Sequence, residues 1–362
     1  SRRWNTHFRN SFSNSAARPQ MTELAQARSI LVISVSRIGD TILVTPALRA
    51  IAAAWPAARL DFLGHPKRAE IIRHLPYVHC VGTISKRLAL FRGWWAGHRY
   101  DLAFVYGYDR PLLEYALRIA RRVIAFRQPD DSLNRRLYRV AEAPAFQAMH
   151  AVRFQLQLLA PLGIAHAGYH LSYRATEAER QWAEAELGRR RRSGNRPLVG
   201  LQLASFPTKA YRDWPIERFI ELCGRVRVHY PHAHFLIFGG KLERERTLRL
   251  HSEFRECSSL YAGRLTLRQT AALMDRLDLY IGVDTGPTHI MGALHRPMVV
   301  LYHGYSPSRL LAPLEHPCLY AVDHPDAGPK CTPDTPMAAI SVEQVWSGVA
   351  AALDRYFRLP ER

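Results

Sequence analysis

The feature that most constrains the fold is an alternation of short apolar runs with helical stretches, which begins near residue 28. Ser29–Val35 (SILVISV) predicts a buried strand, and a helix is predicted over Pro46–Trp55. Further strands are predicted at Arg59–Leu63, Asp101–Tyr106 and Arg122–Phe126. Strands that alternate with helices indicate parallel βαβ units, so this part of the chain predicts a doubly wound sheet.

The same alternation restarts after residue 196. Strands are predicted at Pro197–Leu203, His234–Phe238, Leu279–Val283 and Met298–Tyr302. A helix is predicted over Pro215–Tyr230, and Thr266 with Gln269 has the spacing of a capping box. The sequence therefore predicts an α/β chain with two Rossmann-like halves in series. Neither half contains GxGxxG, so the main signature of a dinucleotide-dependent redox enzyme is missing.

The region between the halves differs in character. Leu112–Ala160 is predicted to be mostly helical and basic, and Thr176–Leu187 predicts a charged helix that ends at Gly188. The basic run Arg189–Arg196 (RRRRSGNR) is better explained as a solvated linker than as a nuclear-localisation or RNA-binding arm. We expect five segments: a disordered leader or artificial remnant (1–20), an N-terminal domain (21–188), a linker (189–196), a C-terminal domain (197–340) and a final helix (341–362).

The charge of the chain limits its partners only loosely. The 50 Lys and Arg against 31 Asp and Glu give a net charge of +19, and a basic surface of this kind attracts anions. Nucleic acid, an anionic membrane surface and phosphorylated substrates are all permitted, and a general arginine bias explains the charge equally well. The five cysteines show no zinc-type spacing, which predicts no structural metal site. No apolar run approaches the ~18 residues of a membrane span.

Two predicted turns lie beyond the carboxyl ends of strands, where open α/β sheets bind ligands. In the turn Ser36–Thr41, Gly39 allows a tight turn or close approach to a ligand. Asp40 is either the N-cap of the next helix or a general base facing an interdomain cleft, and the local pattern alone favours the cap. In Val283–His289, Asp284, Thr285 and Thr288 can present hydroxyl and N–H groups at a helix N-terminus, which predicts a phosphate site.

Two further turns contain charged residues whose roles the sequence does not decide. In Ser205–Lys209, Lys209 could bind a diphosphate as a point charge or could be an ordinary surface lysine. Glu243, after the Gly239–Lys241 turn, could hold a ribose or a base, although a plain glycine-rich turn explains the pattern as well.

A separate segment mixes aromatic and basic residues. Lys86–Arg99 (KRLALFRGWWAGHR) contains Phe91, Trp94 and Trp95, and Arg118–Arg139 adds further basic residues. Such mixtures suit contact with anionic headgroups. Core aromatics with solvated arginines at the edge of the domain are the equal alternative.

Three motifs together resemble those of the heptosyltransferase family, glycosyltransferase family 9. They are SVSRIGDTILVTPALRAI near the start, YIGVDTGPTHIMGAL late in the chain and SFPTKAYRDWP between them. The resemblance runs from about residue 30 to about residue 350. It implies a GT-B fold, in which two Rossmann-like domains face each other across a cleft, with the acceptor bound by the N-terminal domain and the nucleotide sugar by the C-terminal domain.

The resemblance also implies roles for individual residues. The family's catalytic aspartate falls on Asp40, with Lys209 as the second catalytic residue. The donor site is expected to contain Ser205, Thr208, Lys209, Glu243, Asp284, Thr285, Gly286, Pro287 and His289. The acceptor site is expected to contain Arg37, Gly39, Lys67 and Arg68.

The implied reaction is inverting transfer of a heptose from ADP-heptose to the anionic inner core of lipopolysaccharide. We expect a cytoplasmic monomer, peripheral to the inner face of the membrane, without a nucleic-acid partner. The implied reaction requires no cofactor, because the ADP-sugar is a substrate. Magnesium is possible but is not implied. The alternatives are a GT-B transferase with another nucleotide sugar or a protein acceptor, and a non-catalytic nucleotide-binding protein.

Overall fold

The computed structural model describes residue 24 and residues 26–95, 97–145, 147–190, 194–328 and 330–357. The predicted leader, residues 1–20, lies outside the described residues. The rest forms two parallel sheets, each flanked by helices, as the alternating pattern predicts.

The front half contains a six-stranded sheet with the strand order β3-β2-β1-β4-β5-β6, in which all paired strands are parallel. Its strands are β1 Ser29–Ser34, β2 Arg59–Gly64, β3 Cys80–Thr83, β4 Tyr100–Tyr106, β5 Ala120–Phe126 and β6 Arg139–Ala141. Its helices are α1 Ile38–Leu43, α2 Thr45–Ala54, α3 Lys86–Phe91, α4 Arg110–Ile119, α5 Asp131–Asn134 and α6 Ala151–Gln157. The prediction that residues 112–160 are mostly helical is wrong, because β5 and β6 lie there and the helices between them are short.

The rear half repeats this design with the strand order β12-β11-β10-β7-β8-β9. Its strands are β7 Leu198–Gln202, β8 His234–Phe238, β9 Ser258–Leu260, β10 Leu279–Val283, β11 Met298–Tyr302 and β12 Leu319–Asp323. Its helices are α8 Ile216–His229, α9 Arg244–Glu253, α10 Leu267–Met274, α11 Gly286–Leu294, α12 Ser308–Leu311 and α13 Val342–Tyr356. The predicted capping box of Thr266 and Gln269 is present at the start of α10.

Short 3₁₀ helices complete the described structure, at Ala69–Ile72, Ala160–Leu162, Pro207–Arg212, Arg255–Cys257 and Met337–Ala339. The helix before the predicted linker, α7, spans Glu177–Arg190 and so runs two residues past the predicted end at Gly188. Because residues 191–193 lie outside the described part, the exact domain boundaries stay a prediction.

Each sheet is buried on both faces, as expected for parallel strands covered by helices. In β1, Leu31 and Ile33 pack toward the layer that contains α4, whereas Ile30 and Val32 pack toward the layer that contains α2. The second of these layers continues into the rear half, where it includes Tyr280 of β10. The two halves therefore share a hydrophobic contact layer.

A buried arginine also links the halves. Arg268 of α10 donates to both carboxylate oxygens of Glu179 on α7, with its Nη2 2.8 Å from Oε2. The same guanidinium donates to backbone carbonyls of Glu70, Arg73 and Arg174, so all of its hydrogen bonds lead to residues of the front half or of α7. This arrangement fixes α10 against the front half.

Candidate active site

The order of the strands places a crevice at the carboxyl ends of both sheets. In the front sheet, β1 lies between β2 and β4, and in the rear sheet β7 lies between β8 and β10. The strand order reverses beside β1 and beside β7, because successive strands are added first on one side and then on the other, and ligands bind at such switch points in open α/β sheets. A cleft of about 410 Å³ lies there, lined by residues of both halves.

The front wall of the cleft comes from the turn after β1 and from one arginine outside it. Arg37, Ile38, Gly39 and Asp40 line the cleft. Arg68 also lines it and donates from Nη1 to the carbonyl oxygen of Ser36 at 2.8 Å, which fixes the arginine beside the turn. The predicted acceptor residues Arg37, Gly39 and Arg68 are thus together, whereas Lys67 is exposed and does not line the cleft.

Asp40 is an exposed carboxylate on the wall of this cleft. The alternative of a helix N-cap is wrong, because Arg37 occupies the N-cap position of α1 and Asp40 lies inside the first turn. Within the described residues its carboxylate has no hydrogen-bond or ion-pair partner. Asp40 is therefore open to a substrate hydroxyl, which is the geometry that a general base needs.

The rear wall contains the N-terminus of α11. Thr285 is its N-cap and makes no side-chain capping bond, and Thr285, Gly286, Pro287 and His289 line the cleft. Unsatisfied N–H groups at the positive end of a helix favour an anion. The expectation that Thr288 exposes its hydroxyl is wrong: this side chain is buried and donates to the carbonyl oxygen of Val283 at 2.6 Å.

Asp284 lies at the centre of a buried charged cluster. Its Oδ2 is 2.5 Å from Nη1 of Arg212, and its Oδ1 is 3.4 Å from Nε2 of His289. Burial opposes ionisation of this carboxyl, but the charge of Arg212, helped by His289 and Lys209, outweighs it and holds its pKa below the usual range. Since only 1% of Asp284 is exposed, we infer that it orients Arg212 and His289.

Arg212 is a charged cleft residue that the sequence patterns did not single out. It lines the cleft opposite Asp40, and although burial opposes its charge, Asp284, Tyr211 and Asp40 together raise its pKa. The chain contains 45 arginines, which is the difference between 50 Lys and Arg and five lysines, so nothing in composition singled out this one. The sequence did contain one indication of its place in the cleft: Arg212 lies four residues before the start of α8, in the same loop as Lys209.

The loop after β7 presents Lys209 and Phe206 to the same cleft. Ser205 holds this loop: its hydroxyl donates to the carbonyl oxygen of Lys209 at 2.6 Å and lies 2.9 Å from Oδ1 of Asp213. Ser205 thus positions Lys209, whereas Thr208 is exposed and does not line the cleft. Phe206 lies under the guanidinium of Arg37, whose Cζ is 5.9 Å from the ring centroid, so the two walls touch here.

Glu243 completes the rear wall. It precedes α9 and lines the cleft beside Gly240, where an added Cβ would lie 2.6 Å from Oε2 of Glu243. This oxygen is buried without a hydrogen-bond partner among the described residues. A buried unpaired carboxylate oxygen is costly, so it points to a ligand that donates hydrogen bonds. Gln202 also lines the cleft and has a similar buried unpaired Oε1.

No cluster of three or more His, Cys, Asp or Glu side chains that could hold a metal ion occurs in the described ranges. None of the described helices is both long enough and apolar enough to cross a bilayer.

Two Rossmann-like halves that face each other across a ligand cleft define the GT-B architecture. The family model for glycosyltransferase family 9 (heptosyltransferase) matches residues 119–327, which is more than half of the chain. The chain belongs to this family and is a glycosyltransferase.

Two curated relatives carry heptosyltransferase names. Lipopolysaccharide heptosyltransferase 3 of Escherichia coli is 20% identical over 283 residues, which cover 73% of this chain and 80% of the relative. Lipopolysaccharide core heptosyltransferase OpsX of Haemophilus influenzae is 28% identical over 109 residues. That second match covers 30% of this chain and 31% of the relative, so it spans about a third of each protein.

Solved structures show the same fold. A family 9 glycosyltransferase from Veillonella parvula has a TM-score of 0.78 at 19% identity, covering 91% of this chain and 97% of that chain. The E. coli ADP-heptose lipopolysaccharide heptosyltransferase II has a TM-score of 0.73 at 19% identity, covering 90% and 99%. At these identities the likeness establishes the architecture and leaves the substrate open.

Proposed function

We propose that this protein transfers a heptose from ADP-heptose to the inner core of lipopolysaccharide, with inversion at the anomeric carbon. The family membership and the names of the relatives support this substrate class. The observation that carries the proposal is one cleft in which an unpaired carboxylate, Asp40, faces a cationic and helix-terminal wall for a diphosphate.

The rear wall binds the donor. The diphosphate lies against the N-terminus of α11, with Lys209 and Arg212 beside it, and Glu243 accepts hydrogen bonds from the ribose hydroxyls. As the bond between the anomeric carbon and the diphosphate oxygen breaks, ADP takes the electron pair. Groups already fixed in place stabilise that growing negative charge without reorganisation. These cations supply the stabilisation in our proposal, so no metal is required.

The front wall binds the acceptor. Arg37 and Arg68 attract its phosphate groups, and the acceptor hydroxyl lies against Asp40. The carboxylate takes the hydroxyl proton while the oxygen attacks the anomeric carbon from the side opposite ADP. Attack from one side and departure from the other produce inversion. Contact between the two walls aligns the reactants and limits the entry of water, which reduces hydrolysis of the donor.

The acceptor class sets the proposed location. A phosphorylated lipid acceptor places the protein in the cytoplasm at the inner face of the membrane, as a peripheral monomer without a nucleic-acid partner. The net charge of +19 suits both the acceptor and the anionic surface around it.

The test is Asp40→Asn, measured with ADP-heptose and a lipopolysaccharide inner-core acceptor. Loss of the base should reduce turnover by about 10²–10⁴-fold, with the Kd for ADP within a few-fold of the parent. The matched control is Asp326→Asn, an exposed carboxylate outside the cleft. Turnover of Asp40→Asn within a few-fold of the parent would refute the assignment. Transfer from another nucleotide sugar in preference to ADP-heptose would correct the donor and keep the mechanism.

A further inference from the structure

A patch of exposed apolar side chains lies on the front half, away from the cleft. We call it the aromatic patch; it consists of Leu88, Leu90, Phe91, Trp94 and Trp95. Phe91 is 77% exposed, Trp94 63% and Trp95 95%, so the alternative that these aromatics belong to the core is wrong. Several large apolar side chains exposed within eight residues of chain indicate an interaction surface.

Contacts with α4 hold the aromatic patch in place. Trp94 donates from Nε1 to the carbonyl oxygen of Leu90 at 2.9 Å, and Cζ of Arg118 lies 4.6 Å from the centroid of its ring. Arg118 also donates to the carbonyl oxygen of Arg92 at 3.1 Å, which ties the end of α3 to α4. Gly93 has a φ of +85°, and an added Cβ would lie 2.9 Å from Cγ2 of Ile119. The chain is therefore fixed in a turn at Gly93, and Trp95, two residues later, is exposed to solvent.

A basic groove adjoins the aromatic patch. It has a volume of about 430 Å³ and is lined by His98, Arg121, Arg122, Arg136 and Tyr138, among other residues. Within the part of the chain that the structure describes, no acidic side chain lines it, although Oδ1 of Asp101 lies 3.9 Å from Nε of Arg121. The guanidinium of Arg118 lies over the ring of Trp94, and the preceding residue, Leu117, lines the groove, so the groove and the patch adjoin at α4. The segment that carries the patch, residues 86–99, adds four Lys and Arg and no Asp or Glu.

We propose that the aromatic patch and the basic groove together form the surface by which this protein docks on an anionic phospholipid bilayer. Aromatic rings with a polar edge favour the headgroup level of a membrane, and arginines beside them pair with lipid phosphates. A second copy of the chain is a poor occupant, because two identical basic faces repel each other. Charge complementarity therefore favours an anionic bilayer over a second copy of the chain as the partner of this surface.

This surface does not overlap the cleft, because the two have no lining residue in common. Trp94 and Trp95 precede β4, at the edge of the front sheet opposite the carboxyl ends that form the cleft. The inference deepens the proposed peripheral location, and it depends on lipid contact alone and not on the transfer chemistry. A vesicle assay therefore tests it separately from any assay of turnover.

The experiment measures binding of the full chain to vesicles of phosphatidylcholine and to vesicles of an equal mixture of phosphatidylcholine and phosphatidylglycerol. The parent should bind the mixed vesicles selectively, with a blue shift of tryptophan fluorescence. Phe91→Ala/Trp95→Ala and Arg121→Glu/Arg136→Glu should each weaken this binding by more than about tenfold. All four residues are exposed and lie outside the cleft. Because Arg121 lies 3.9 Å from Asp101, denaturant unfolding and the Kd for ADP are measured on each variant to establish that the fold is retained.

Matched controls on the rear half separate a specific surface from general charge and hydrophobicity. Val228→Ala/Leu242→Ala removes two apolar side chains that are each more than 70% exposed, and Arg255→Glu/Arg264→Glu reverses two exposed charges. Both should bind vesicles like the parent. Equal loss in the controls, or equal binding to both kinds of vesicle, would overturn the proposal. The proposal would also be overturned if the parent did not bind vesicles but formed a dimer in solution, and if Phe91→Ala/Trp95→Ala dissociated that dimer.

Discussion

Gly39 of the front half lies directly against His289 of the rear half, across the cleft. An added Cβ on Gly39 would lie 2.9 Å from Cδ2 and 3.5 Å from Nε2 of His289. Gly286 of the rear half is equally close to the front half, because an added Cβ on Gly286 would lie 2.9 Å from Cβ of Ile38. Two glycines thus let α1 and the N-terminus of α11 approach each other, which brings the residue after Gly39, Asp40, to the donor wall.

Gly39→Ala tests this contact. The methyl group must displace His289, whose Nε2 lies 3.4 Å from the buried Asp284, or separate the two walls. Misplacement of the reacting groups should reduce kcat by about 10- to 100-fold, measured by steady-state kinetics. Gly224→Ala is the control, since no atom lies within 4 Å of its added Cβ and it lies inside α8. Parental kcat in Gly39→Ala would show that the close contact does not matter for catalysis.

Arg212→Ala and Lys209→Ala should have different consequences, although both remove a cation from the cleft. Removal of Arg212 leaves the buried carboxylate of Asp284 without its main partner, which should lower the free energy of unfolding by about 3–5 kcal/mol. Lys209 is partly exposed and its removal should leave stability nearly unchanged while reducing donor kcat/KM. Chemical denaturation and donor kinetics separate the two.

Asp284→Asn in combination with Arg212→Ala provides the internal control. If the cost of losing Arg212 comes from the stranded charge, the double variant should be more stable than Arg212→Ala alone. Without Arg212, burial would raise the pKa of Asp284, so the stability deficit of the single variant should shrink as the pH falls. A deficit that is independent of pH would contradict this account.

Glu243→Gln tests the proposed ribose site. The buried unpaired Oε2 of Glu243 would accept hydrogen bonds from ribose hydroxyls, and bonds to a charged acceptor contribute about 1.5–3 kcal/mol. The Kd for ADP should therefore rise by about tenfold or more, whereas the Kd for inorganic pyrophosphate should not change. Calorimetry with both ligands makes the distinction, and exposed Glu245→Gln is the control. A parallel loss of pyrophosphate binding would place Glu243 at the diphosphate instead.

The sequence was sufficient for the fold and for most of the cleft, because both depend on local patterns. Alternating strands and helices predict two parallel sheets, and the loops after β1, β7 and β10 then lie at the carboxyl ends of those sheets. Asp40, Lys209 and His289 were selected in this way, and all three line the cleft. The edge strands β3, β6, β9 and β12 were missed. The first three have only three or four residues, and β12 is not fully buried, so none shows the apolar run of a buried strand.

What the sequence could not supply were contacts between distant residues. Arg212 and Asp284 are 72 positions apart, and only their pairing in the fold distinguishes this arginine from the others. The inward direction of Thr288 depends on the phase of α11, which a loop motif does not define. The exposure of Trp95 depends on the turn at Gly93. Composition alone therefore could not decide whether this tryptophan lies in the core or on the surface.

Glu179→Gln should weaken the link between α7 and α10 in a pH-dependent way. Burial works against ionisation of Glu179, but the hydrogen bonds from Arg268 and Thr176 outweigh it and hold the pKa below its ordinary value of 4.5. A lowered folded-state pKa adds stability that is complete above pH 4.5 and is lost as the pH falls through the folded-state value. At pH 7 the variant should therefore be less stable by about 2–3 kcal/mol, and the difference should narrow below pH 4.5.

Glu184→Gln on the same helix is the matched control for this link. Glu184 pairs with Arg276 at 3.0 Å, but its side chain is 64% exposed, so its loss should change stability by less than about 1 kcal/mol. Denaturant unfolding of the parent and of both variants from pH 7 down to pH 4 makes the comparison. If Glu179→Gln and Glu184→Gln lost the same stability at every pH, the Arg268–Glu179 pair would be no stronger than a surface ion pair. The halves would then be held together by the shared hydrophobic layer and by their other polar contacts, such as that of His150 Nε2 with the carbonyl oxygen of Ala312 at 2.8 Å.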